Sequence, residues 1–210
     1  MVVHMLSIVR IIRPSVQAKF FVATSGLLPT RSIMTSAASQ QKILVAVVGV
    51  GLVGSEFINQ LLSIPPQSSP FKLVSLSSSS RTLFTGKANP IEPNAPWKSL
   101  LRSSKEAADL KTLTANLTQL VGEKERVALV DNTSSEDIAG MYPVWLKAGI
   151  NVITPNKKAF SGDVELFSKI LSASQESGAK FLNEATVGAG LPVIAPLKEL
   201  VATGDKVCSL

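Results

Sequence analysis

An apolar segment, Lys42–Val48 (KILVAVV), runs without a break into Gly49-Val50-Gly51-Leu52-Val53-Gly54 and then into SEFINQLL. A continuous apolar run of this length, bounded by glycine, reads as a strand buried on both faces of a parallel sheet. Val53–Leu62 reads as the helix that follows. Strand, glycine turn and helix start together limit the local fold to a βα unit of the G-x-G-x-x-G kind. The first glycine, Gly49, permits the turn. Gly51 lets a pyrophosphate approach the backbone, and Gly54 lets helix pack on strand. Free N–H groups and the positive end of the helix dipole then face an anion. The competing reading is a glycine-rich turn with no ligand; the strand before it and the helix after it favour dinucleotide binding.

From residue 42 onward strands and helices alternate. Phe71–Leu76, Val127–Val130, Asn151–Thr154 and Phe181–Thr186 read as strands. Leu113–Val121, a segment capped by Ser134 or Ser135, Val164–Ser177 with Ser161 as candidate cap, and Leu191–Thr203 read as helices. Ser77–Trp97, rich in serine and proline, reads as a long irregular stretch. The alternation predicts an α/β fold, a doubly wound parallel sheet of the Rossmann type. Trp97 and Trp145 read as packing residues.

Charge narrows the class. The net charge is +6, yet four of the 21 basic residues (Arg10, Arg13, Lys19 and Arg31) lie in residues 1–41, which hold no acid. That leaves 17 basic against 15 acidic residues in the remainder, so the body is not a basic nucleic-acid binder. No apolar run is long enough to span a bilayer. Cys208 is the sole cysteine, which excludes an intrachain disulfide and a cysteine metal cluster. Residues 1–41 have the Arg- and Ser-bearing, acid-free composition of a mitochondrial transit segment. The alternative is a cytoplasmic chain starting at Met34.

The second strand bears on the choice of nucleotide. NAD-binding sheets carry an acid at its end to hold the ribose 2′-hydroxyl. Here the strand runs into Ser77-Ser78-Ser79-Ser80-Arg81 with no carboxylate. Hydroxyls and a guanidinium suit a 2′-phosphate, so Ser77 and Arg81 predict NADP, with NAD still open. The alternative for Arg81 is a side chain that points to water.

Three further segments follow strand ends. VDNTSS (Val130–Ser135) offers Asn132 and Thr133. TPNKKAFS (Thr154–Ser161) offers adjacent lysines, and NEATVGAGLP (Asn183–Pro192) places Glu184 before a glycine-rich turn. Each also has a plain reading as cap, solvated loop or turn. In this order after GVGLVG, with TGD at Thr203–Asp205, they resemble homoserine dehydrogenase of the fungal type over about residues 42–207.

The resemblance implies NAD(P)H-dependent interconversion of L-aspartate 4-semialdehyde and L-homoserine, a step in threonine, methionine and isoleucine biosynthesis. It implies that Gly49, Gly51, Leu52, Val53 and Gly54 hold the pyrophosphate and that Asn132 and Thr133 lie along the cofactor. Lys157 is implied beside cofactor and substrate, with a part in proton transfer. A sodium-like cation is implied on the Glu184 carboxylate and the carbonyls of Val187, Ala189 and Leu191. Residues 1–41 are then an extension, 42–190 the cofactor domain, and 191–210 the entry to a catalytic part. In the family that part supplies a second lysine, substrate-binding acids and a homodimer interface. This chain is accordingly expected to be a fragment with little activity alone and an exposed sheet edge. Two other classes stay open: another NADP-dependent Rossmann oxidoreductase, and a non-catalytic cofactor-binding module.

Overall fold

The computed structural model describes residues 42–122, 125–162, 164–188, 191 and 193–204. The expected targeting extension in residues 1–41 lies outside them, as do Ala189, Asp205 and Cys208. In chain order the elements are β1 (Ile43–Val48), α1 (Leu52–Ser63), β2 (Phe71–Ser77), β3 (Arg81–Phe84), α2 (Trp97–Ser103), β4 (Glu106–Ala107) and α3 (Leu110–Leu120). Then follow β5 (Arg126–Asp131), α4 (Glu136–Gly140), α5 (Tyr142–Lys147), β6 (Asn151–Ile153), α6 (Lys158–Ser161) and α7 (Val164–Ser177). The order closes with β7 (Phe181–Leu182), a 3₁₀ turn at Glu184–Thr186 and α8 (Ile194–Ala202).

The sheet order is β4-β3-β2-β1-β5-β6-β7. β2, β1, β5, β6 and β7 are parallel, and β3 and β4 add antiparallel at one edge. The doubly wound α/β expectation therefore holds for the sheet's centre, with an antiparallel edge the sequence reading did not contain. β1 is buried at every position. Its residues alternate between two cores, as the pleat requires. Ile43, Val45 and Val47 pack with Phe57, Ile58 and Leu61 of α1 and with Trp97 and Leu101 of α2. Leu44, Ala46 and Val48 pack on the other face with Leu113 and Leu117 of α3, Tyr142 and Trp145 of α5, and Ile170 of α7. Both tryptophans are core residues, as expected.

The chain winds from β1 to β2 in one direction and from β1 to β5 in the other. The sheet thus has its switch point between β1 and β5, where such folds bind ligands. Among the described residues no helix is long and apolar enough to cross a membrane.

Where element bounds differ from the sequence reading, local chemistry explains it. Within Ser77–Trp97 the serine run makes a hairpin turn: Ser78 N–H donates to the Arg81 carbonyl at 2.9 Å, and Ser78 Oγ accepts Arg81 N–H at 3.0 Å. That turn lacks the glycine or asparagine that usually marks a hairpin. Helix α3 starts earlier than expected because Asp109 caps it, accepting Thr112 N–H at 2.6 Å. Ser135, one of the two caps considered, accepts Ile138 N–H at 3.4 Å and starts α4. Ser161 is the last residue of α6 and does not cap α7. The last strand stops at Leu182, because Thr186 N–H and hydroxyl both turn back to the Asn183 carbonyl.

Phe57 is fully buried between α1 and the sheet. Phe57→Ala is expected to destabilise the domain by about 3–5 kcal/mol, read from the shift in denaturant midpoint. A loss under about 1 kcal/mol would contradict this packing.

Candidate functional site

The glycine turn is built by backbone contact. Gly49 has φ 86°, a conformation that favours glycine, and its N–H donates to the Ser77 carbonyl at 2.9 Å. At Gly54 a Cβ would lie 1.9 Å from the Gly49 carbonyl oxygen. No residue but glycine fits there, and its absence of side chain lets α1 rest on the end of β1. Gly51 differs: a Cβ there meets nothing within 4 Å. That glycine is not needed for the fold of the turn; it leaves open space in front of the backbone.

Gly51 is the N-cap of α1, and the first helical bond runs from Ser55 N–H to the Gly51 carbonyl at 2.8 Å. The amides of Leu52, Val53 and Gly54 precede it, so α1 leaves them without a helical acceptor. No side chain caps this end and no acid stands in the first turn. The Leu52 side chain is exposed. A bare, positive helix end beside open space is a place for an anionic group.

The open space is a crevice of about 650 Å³ over the ends of β1 and β5. Gly49, Gly51, Ser78, Ser79, Asn132 and Thr133 are among its lining residues. The oxygen and nitrogen of the Asn132 carboxamide are both shielded and neither has a hydrogen-bond partner. A shielded carboxamide without partners is costly unless a ligand supplies them. Orphaned amide and uncapped helix together fit a dinucleotide lying across the switch point.

Beside it lies a second hollow of about 390 Å³, whose lining includes Ser78, Ser80, Arg81, Lys98 and Arg102. One Arg81 N–H donates from Nη1 to the Ser104 carbonyl at 2.5 Å, which anchors the guanidinium and leaves its other donors. Ser77 is buried, and its hydroxyl lies 2.9 Å from that of Thr82. The sequence reading missed Lys98 and Arg102. Their signal was four-residue spacing in WKSLLR, on a helix that went unread.

Below the crevice a buried polar cluster ties two loops together. Asp131, the last residue of β5, is fully buried. Its Oδ1 accepts Thr133 N–H at 2.7 Å; its Oδ2 accepts the Tyr142 hydroxyl at 2.5 Å and Asn156 Nδ2 at 3.1 Å. Asn156 Nδ2 also donates to the Ser135 carbonyl at 2.9 Å. Burial, with the Asp131 charge second, pushes the Tyr142 phenol far above its ordinary value, so it stays a donor.

A family model for the homoserine dehydrogenase NAD-binding domain matches residues 49–184. The chain belongs to the homoserine dehydrogenase family. It is 45% identical to homoserine dehydrogenase of Emericella nidulans over 168 residues, which is 79% of this chain and 45% of that protein. The Saccharomyces cerevisiae homoserine dehydrogenase is 40% identical over 171 residues, 80% of this chain and 46% of that one. The chain thus spans about half the length of these curated relatives. A solved Candida auris protein of unknown function superposes with a TM-score of 0.68 at 41% identity, covering 79% of this chain and 45% of that one. A hyperthermophilic archaeal homoserine dehydrogenase in complex with NADPH gives 0.52 at 26% identity, covering 74% and 48%. The crevice is therefore that of a nicotinamide-dinucleotide domain.

In this homoserine dehydrogenase domain the remaining site residues are spread. Lys157 is exposed at the start of α6, flanked by the buried Asn156. It does not line the crevice, but its loop is bonded to the crevice loop through Asn156. Glu184, Val187 and Leu191 follow β7 in the chain and are not among the residues that line the crevice. Both Glu184 oxygens sit within 3.1 Å of Ala195 N–H in the first turn of α8. Among the described residues no cluster of three His, Cys, Asp or Glu side chains could hold a metal.

The two glycines are expected to fail differently. Gly51→Asp keeps the fold, since the site is open, but sets a carboxylate against the diphosphate; NADPH affinity by calorimetry falls at least ~100-fold, about 2.7 kcal/mol. Gly54→Ala forces backbone apart and lowers stability by about 1–3 kcal/mol or more in denaturant melts. Equal stability for Gly54→Ala and wild type would contradict the close contact.

Proposed function

We propose that this chain is the cofactor half of an enzyme that interconverts L-aspartate 4-semialdehyde and L-homoserine with NADP(H). The observation that carries the reading is the family match across residues 49–184, laid on a crevice whose amides and orphaned Asn132 suit a dinucleotide. When bound, the nicotinamide supplies or accepts the hydride. The chain's own residues do the rest. The Leu52, Val53 and Gly54 amides orient the diphosphate through charge-assisted hydrogen bonds. Asn132 and Thr133 fix the neighbouring part of the cofactor. Lys157 presents positive charge and a proton to the substrate oxygen, where negative charge develops as the aldehyde carbon is reduced.

The NADP preference rests on Arg81, Lys98 and Arg102 around one hollow at the end of β2. No acid lines that hollow, so nothing there repels a 2′-phosphate. The cation site belongs to the same reading. The Glu184 carboxylate and the carbonyls of Val187 and Leu191 offer the hard oxygen donors that sodium takes, and Ala189, also in the ligand set, lies outside the described residues.

Two experiments test this. In the full-length protein, NADPH consumption with L-aspartate 4-semialdehyde is expected, and Lys157→Ala should lower kcat at least ~100-fold. Turnover with another aldehyde and none with this one would overturn the substrate assignment. For the nucleotide, Arg81→Glu is expected to weaken NADPH about 10- to 100-fold while changing NADH under about 3-fold. Equal losses for both would remove Arg81 from the 2′-phosphate site.

A further inference from the structure

We propose that Asn156 is a positioning residue that acts through Lys157, and that Asp131 and Tyr142 lock it to the cofactor loop. The inference rests on the role given to Lys157 above. Asp131 is wholly buried, and its donors, the Thr133 amide, the Tyr142 phenol and the Asn156 carboxamide, are all uncharged. A strand end can be closed by an apolar residue at less desolvation cost. What the carboxylate adds is reach. One oxygen holds the loop that carries Asn132 and Thr133. The other holds the side chain next to Lys157.

The lysine's own backbone is fixed on both sides. Asn156 N–H donates to Thr154 Oγ1 at 2.8 Å, and Lys158 N–H donates to Asn156 Oδ1 at 3.0 Å. Asn156 therefore spends its whole carboxamide: Oδ1 closes a turn around Lys157, and Nδ2 ties that turn to Asp131 and to the Ser135 carbonyl at the start of α4. Thr154 adds a further tie, its hydroxyl 3.1 Å from the Asp131 carbonyl and 2.9 Å from the Tyr142 hydroxyl. Tyr142 is the rigid end of the cluster, fully buried with its ring 6.1 Å from Trp145 and 5.7 Å from Phe181. Long, exposed lysine side chains are mobile, and their placement is set by the backbone that carries them. A small shift of that backbone misplaces the ammonium relative to a cofactor held on the other loop, and misplacement by about 1 Å can cost ~100-fold in rate.

The test uses the full-length enzyme. Asn156→Ala is expected to lower kcat with aspartate semialdehyde about 10- to 100-fold while KM for NADPH changes under about 3-fold. In the Lys157→Ala background, Asn156→Ala should cause no further loss of kcat, because its effect passes through the absent ammonium. Losses that multiply, or an unchanged kcat with only a lowered Tm, would overturn the proposal. Tyr142→Phe, which keeps the buried ring, covers the case in which Asn156→Ala does not fold. It removes a hydrogen bond to Asp131, so hydrogen exchange at the Thr133 and Lys158 amides should speed up together. Acceleration at one amide alone, or at neither, would show the loops to be independent and overturn the coupling. A wild-type enzyme inert toward aspartate semialdehyde would instead refute the function proposed above, and the exchange result would still decide the coupling.

Discussion

The contact between two glycines sets the rest of the architecture. With no Cβ at Gly54, α1 lies directly on the Gly49 carbonyl, and β1 hands over to its helix without a spacer. Unpaired amides are then fixed at the sheet's switch point. A larger residue at either place would push the helix off the strand, and Thr133, which closes on Gly49 from the neighbouring loop, would move with it. The anion site is a consequence of close packing, and so is the crevice.

The second constraint is a polar one. The end of β5 carries a carboxylate that must be satisfied without a charged partner in its hydrogen-bond set. Three donors from three segments satisfy it. The structure thus holds the loops after β5 and β6 in one arrangement through bonds made by side chains, those of Asp131, Thr154 and Asn156. Rigid loops on adjacent strand ends are what a site needs if cofactor and proton donor are to meet.

Much of this was legible in the chain itself. The strand before GVGLVG comes from an unbroken apolar run, and the helix after it from apolar residues at helical spacing; burial dictates both directly. The loops VDNTSS and TPNKKAF stood out because they follow strands. What escaped notice depended on partners far away in sequence. Asp131 and Asn156 are 25 residues apart, and no local pattern joins them. The hairpin that forms β3 turns without glycine, closed by the Ser78 N–H and hydroxyl on Arg81, so the edge strands went unread. Helix α2 has Pro96 at its N-cap and no side-chain cap, which hid Lys98 and Arg102. Ser77, expected in the cofactor site with Arg81, ends β2 with its hydroxyl 2.9 Å from that of Thr82 and lines a small hollow with Ser78 and Ser79, which also line the crevice.

A crystal structure of the protein with NADPH bound tests the central claim most directly. The account expects diphosphate oxygens within hydrogen-bond distance of the amides that open α1, the 2′-phosphate among Arg81, Lys98 and Arg102, and the Asn132 carboxamide partnered by the cofactor. A dinucleotide seated elsewhere, or a diphosphate held by side chains with those amides still bare, would contradict it.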